Sequence, residues 1–189
     1  GISNQHYVPD GNGKDSGRPG GLFDFLTRDG AQDILATDIL DAVLRGLGPI
    51  WPGRLSLGGI NLGDVWHHPI LGAPETLVGL MPFHKLSQWL TYSMIEPIEE
   101  AGISVGAVNG LTGLAEYRNG GLLVDGGVLR LRDAGLLDKN HRPDSALIVE
   151  WRALTVHLLD VIAPLVRERV GLDELEFPLA KVLEGGTWR

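Results

Sequence analysis

The chain contains no cysteine among its 189 residues. That excludes disulfides, thiolate metal ligands and a cysteine nucleophile, and it is compatible with a reducing cytosol. No apolar run is long enough to cross a bilayer, and no basic-then-apolar leader opens the sequence. A cytoplasmic protein without a membrane partner is therefore expected. Residue 1 is Gly rather than Met, which reads as a piece cut or processed from a longer chain. Positive charge is also scarce: 16 Lys and Arg stand against 24 Asp and Glu, for a formal net charge of −8. Such a field repels a nucleic-acid backbone, and no Lys/Arg cluster offsets it locally, so nucleic acid is not an expected partner. An anionic small molecule stays open, because two or three converging cations override a diffuse background at short range.

Several catalytic signatures are missing as well. There is no HExxH, no GxSxG nucleophile elbow and no GxGxxG after a strand. His67 and His68 are adjacent and point apart on most backbones. With Asp64 they form the one set of residues that suggests zinc, and their spacing matches no metal motif. No metal and no cofactor are expected.

What is present is enough to fold. Hydrophobic residues make up 43% of the chain and charged residues 21%, which supports a sizeable core. Residues 1–20, rich in Gly, Pro, Asn, Asp and Ser, read as an irregular arm, with one domain over 21–189. "DGAQDILATDILDAVLRGLG" predicts a helix whose stripe is Ile34, Leu35, Ile39, Leu40, Val43 and Leu44. A long Gly/Pro-punctuated loop follows. "MPFHKLSQWLTYSMIEPIEEAG" predicts a second helix with Leu86, Leu90 and Met94 towards the core. Lys85, Gln88, Trp89 and Tyr92 share its other face, either as plain surface or as a ligand-binding strip.

The longest predicted helix is "ALIVEWRALTVHLLDVIAPLVRERV", capped by Asp144 or Ser145. It is apolar nearly all round, so it is expected at the buried centre of the fold. Its Glu150, Arg152 and His157 then need partners or a function, since buried charges are costly. Glu150 and His157 share a direction and Arg152 points roughly opposite. Pro178 and Gly185 bracket a last short helix. Strand signals are poor, and the fold class is mainly α.

"GLAEYRNGGLLVDGG" places Glu116, Tyr117, Arg118 and Asp125 around paired glycines. It reads either as an exposed turn or as an active-site loop. If Gly120 and Gly121 break the helix, Asp125 is free to turn back towards Glu116. Two carboxyls in one pocket, with Arg118 holding one charge, suit cleavage through an oxocarbenium ion.

The strings "RPGGLFDFL", "MPFHKLSQWLTYSMIEPIEEAG", "GLTGLAEYRNGGLLVDGGVL" and "VEWRALTVHLLD" resemble the uracil catabolism protein 4 family from about Arg18 onward. Members of that family are longer, which implies a helical N-terminal portion of the same protein as a partner. A more distant likeness is to the queuosine-nucleotide N-glycosylase family. It rests on Glu116-Tyr117-Arg118 with Gly127-Val128-Leu129, on Lys85 with Gln88, and on Glu150-Trp151-Arg152-Ala153. The departure is Glu116, where that family has aspartate.

Together these resemblances imply a helical N-glycosylase-like domain around one buried helix, with long Gly/Pro-rich loops. The implied activity is hydrolysis of an N-ribosidic bond in uracil breakdown, on a ribosylurea or its 5′-phosphate. Glu116 and Asp125 would be the catalytic carboxylates. Lys85, Gln88, Trp89, Tyr117, Arg118, Glu150 and Arg152 would bind substrate, with Glu150 orienting Lys85 or Arg118. The alternatives are a metal-dependent amidohydrolase on a ureido group, using Asp64, His67 and His68, or a non-catalytic subunit of a pathway complex.

Overall fold

The computed structural model describes residues 20–51, 53, 55–73 and 76–186. The expected arm over 1–20 lies outside them except for Gly20, which opens a helix. The chain is mainly helical. Its helices are α1 (Gly20–Leu26), α2 (Ala36–Leu47), α3 (Lys85–Glu100), α4 (Tyr117–Asp125), α5 (Ala146–Val170) and α6 (Leu179–Glu184). Among the described residues, six strands of two or three residues pair two by two. They are β1 (Asp33–Leu35), β2 (Ser56–Leu57), β3 (Ile60–Asn61), β4 (Val65–His67), β5 (Leu80–Pro82) and β6 (Ser104–Gly106). Among the described residues no helix is long and apolar enough to cross a membrane.

The chain divides into two compact units. One takes in the sequence up to Gly63 and Leu86–Leu111; the other takes in Asp64–Lys85 and the sequence from Thr112. In the first, β1 runs parallel to β6, with Ile34 opposite Val105. Ile34 and Leu35 fit the helical stripe of the sequence, yet they belong to this strand. The helix begins only at Ala36, where Asp38 Oδ2 accepts from the Leu35 N–H at 3.1 Å. Ile39, Ala42 and Val43 then bury one face against Leu22, Ile98 and Ile103. β2 and β3 form a hairpin whose turn, Gly58–Gly59, has φ of 57° and 78°. Glycine, without a Cβ, holds that mirror-image turn at little steric cost.

α3 keeps part of its predicted orientation: Leu90 and Met94 pack against the core of the first unit as expected. Ser87, Gln88, Thr91 and Ile98 are buried, whereas Leu86 is exposed. A buried Gln and Ser satisfy the helix geometry, and hydropathy alone does not mark them.

In the second unit, β4 pairs antiparallel with β5 through Trp66 and Met81. Trp66, Phe83, Ala115 and Val149 form a small core. Ser145 caps α5, its Oγ accepting from the Ile148 N–H, and Gly171 ends it at φ 72°. The expected central burial of α5 is corrected here. Val149, Thr155, Leu159 and Ala163 are buried, but Glu150, Leu154, His157, Val161 and Leu165 are exposed along the opposite face.

Candidate active site

Asp64 organises the loop that leads into α3. Its carbonyl accepts from the N–H groups of Phe83 (3.0 Å) and His84 (3.2 Å). Its carboxylate accepts from the Lys85 N–H at 3.0 Å, from Trp66 Nε1 at 2.6 Å, and from both arms of Arg152 at 2.8 Å each. Burial alone raises a carboxyl pKa. Here the hydrogen bonds from Arg152, Trp66 and Lys85, with the guanidinium charge, reverse that effect and hold Asp64 down at about 2. Arg152 also lies over the Phe83 ring, 4.1 Å from its centroid. Between these anchors His84 adopts φ 45°, a strained conformation for a residue with a side chain. Its imidazole pKa is lowered by burial, and the Asp64 charge opposes that only in part.

This anchoring fixes the first residue of α3, Lys85. Its ammonium meets Glu116 Oε2 at 3.1 Å, and both side chains are about three-quarters buried. Glu116 is the residue that precedes α4, and its Oε1 accepts from the Tyr117 N–H at 3.0 Å. The carboxylate is thus gripped on one side by a cation and on the other by a helix start, where negative charge is stabilised. Tyr117 and Arg118 are exposed beside it, with Arg118 Nε donating to Tyr117 Oη at 3.2 Å.

The glycines do not break the helix. α4 runs straight through Gly120 and Gly121, and Asp125 is its last residue. Nine residues of helix carry Asp125 roughly 13 Å along the axis from Glu116. The expected carboxylate pair is therefore not assembled. The physical reason is packing: a Cβ on Gly120 would lie 2.7 Å from the Trp151 ring and 2.8 Å from Thr155 Oγ1. Gly120 lets α4 rest directly on α5, and its carbonyl accepts from Trp151 Nε1 at 3.1 Å. That contact outweighs a helix penalty of about 1 kcal/mol per glycine.

The remaining predicted residues separate. Arg152 has the partner that sequence reading demanded, in Asp64. Glu150 is exposed and makes no hydrogen bond or ion pair among the described residues, so it orients neither Lys85 nor Arg118. Instead it lines a cavity of about 630 Å³ with Asp125, Arg130, Arg132 and Trp151. Gln88 and Trp89 belong to the first unit, Gln88 buried and Trp89 exposed. Sequence reasoning missed Phe83 and His84 as supports of Lys85. The only signal for them was adjacency.

The zinc set does not form. Both Asp64 oxygens face the Arg152 guanidinium, and His67 Nε2 donates to the Gly72 carbonyl at 2.8 Å. Among the described residues no three potential ligands gather as a metal site.

The second unit thus presents a carboxylate and an ammonium fixed at two helix starts, with a guanidinium and a phenol alongside. The family described as "Protein of unknown function (DUF1688)" matches residues 3–189, and the chain belongs to that family. It is 44% identical to the protein urg3 of Schizosaccharomyces pombe over 92% of this chain and 43% of that protein. It is 38% identical to the uracil catabolism protein 4 of Lachancea kluyveri over 92% of this chain and 45% of that one. The chain therefore spans less than half the length of these relatives. No solved structure matches it.

Proposed function

We propose that this chain supplies catalytic residues to a hydrolase of uracil breakdown that cleaves an N-ribosidic bond, on a ribosylurea or its 5′-phosphate. The observation that carries this reading is the 3.1 Å contact between Lys85 and Glu116. It joins two motifs 31 positions apart, each of which resembles the helical N-glycosylase pattern. The name of one relative adds the pathway. In the reaction the C1′–N bond breaks, its electron pair leaves with the urea nitrogen, which takes a proton, and water adds to C1′. Glu116 stabilises the oxocarbenium ion and positions the water. Lys85 holds that carboxylate in place, and Arg118 with Tyr117 contacts ribose hydroxyls or phosphate. The step is written without Asp125, which lies at the far end of helix α4 from Glu116.

The test is a product assay on the full-length protein with ribosylurea 5′-phosphate. Release of urea and ribose 5-phosphate in equal amounts supports the reading. An intact substrate in the presence of folded protein sinks it and leaves the non-catalytic subunit. The amidohydrolase alternative predicts ammonia in place of urea, and it has lost Asp64 as a ligand.

A further inference from the structure

α5 carries two opposed faces. One is the buried face of Val149, Thr155, Leu159 and Ala163. The other is an exposed stripe of Glu150, Leu154, His157, Val161 and Leu165, at helical spacing. Leu165 is 59% exposed, and Ile70 beside the stripe is 82% exposed. Two cavities, of about 480 and 630 Å³, flank the stripe and share Ile70, Glu150 and Leu154 in their walls. They make one apolar groove along the helix. Exposed apolar area on this scale marks an interaction surface.

Two polar groups at the groove point the same way. His68 is buried, and its Nδ1 accepts from the Ile70 N–H at 3.3 Å, which leaves the proton of a neutral ring on Nε2. Among the described residues that Nε2 is buried without a partner. Glu150, across the groove, also lacks a partner among the described residues. A buried donor without an acceptor is rare in a complete protein. So is a helix apolar nearly all round that is left half bare. Both features are ordinary if something of protein size is absent. The relatives provide it, since this chain covers only 43% and 45% of their lengths.

We propose that the outer face of α5 and its two flanking cavities form the seat of the part of the family polypeptide that lies outside these 189 residues. The occupant is an apolar segment that brings a hydrogen-bond acceptor to His68 and a cationic or N–H donor group to Glu150. This does not rest on the hydrolytic reading. A small ligand suits the surface less well, because the exposed stripe runs on from the cavities through Val161 to Leu165.

The experiment uses the full-length polypeptide with p-benzoylphenylalanine in place of Leu154, and separately of Leu165. After irradiation the crosslinked peptides are identified by mass spectrometry at two concentrations tenfold apart. The expected result is an intramolecular crosslink to sequence outside the 189 residues, with a yield unchanged by dilution. Crosslinks confined to the 189 residues overturn the proposal, as does a yield that falls with dilution, which signals a second copy. Absence of any crosslink overturns it too. Val161→Asp in the same polypeptide should lower its melting temperature by several degrees, and an unchanged melting curve contradicts the proposal.

Discussion

Arg152 and Glu150 sit two residues apart on α5 and lead opposite lives. Arg152 binds both oxygens of Asp64 from the buried side, whereas Glu150 faces outward. Arg152→Met strands a largely buried carboxylate and should cost about 3 kcal/mol, at the lower end for breaking a buried pair. Glu150→Gln in the 189-residue chain should stay within about 0.5 kcal/mol. Denaturant melts of the two variants check both, and equal losses would mean that the Asp64 pair is not a mainstay. Acid gives a second view of the same group. Asp64 titrates at about 2 in the folded state against an ordinary 3.8, so its contribution is complete above pH ~4. It is lost as pH falls from there towards 2. Asp64→Asn should flatten that part of the stability–pH curve, and a parental slope would contradict the assignment. At the other end of α4, Asp125→Asn should leave turnover within about threefold of the parent. A loss near that of a catalytic group would show that Asp125 reaches the reacting atoms after all.

At the scale of elements, legibility followed how local the cause was. The bounds of α5 could be read from the apolar run and its candidate caps, Asp144 or Ser145, and those of α6 from Pro178 and Gly185. α4 could not be read. Its two glycines advertise a break, and the contact that overrides them, Gly120 against Trp151, joins residues 31 apart. α3 was placed correctly and its buried face only in part: Leu90 and Met94 pack on the core as expected, but Ser87 and Gln88 are buried where Leu86 is exposed. The pairing of Lys85 with Glu116 was likewise invisible to spacing, although each residue had been singled out by its motif. The two glycines of α4 supply a direct check. Nothing lies within 4 Å of a Cβ on Gly121, so Gly121→Ala should stabilise the helix by about 0.5–1 kcal/mol. Gly120→Ala should cost about 1–3 kcal/mol by forcing α4 away from Trp151. Melting curves that rank the two variants the other way would contradict the packing account.

For the whole molecule, the fact that matters is that the chain spans under half the length of the relatives it matches. Among the described residues the outer face of α5, from Glu150 through Leu154 and Val161 to Leu165, is exposed. Activity therefore has to be measured on the full-length protein. The central claim is that Glu116 stabilises charge that exists only in the transition state. The measurement that tests it is steady-state kinetics of the full-length protein and its Glu116→Gln variant on ribosylurea 5′-phosphate, with folding verified by the melting curve. The amide is nearly isosteric, so kcat should fall at least about a hundredfold while KM stays nearly unchanged. A folded variant that keeps near-parental turnover would contradict the claim.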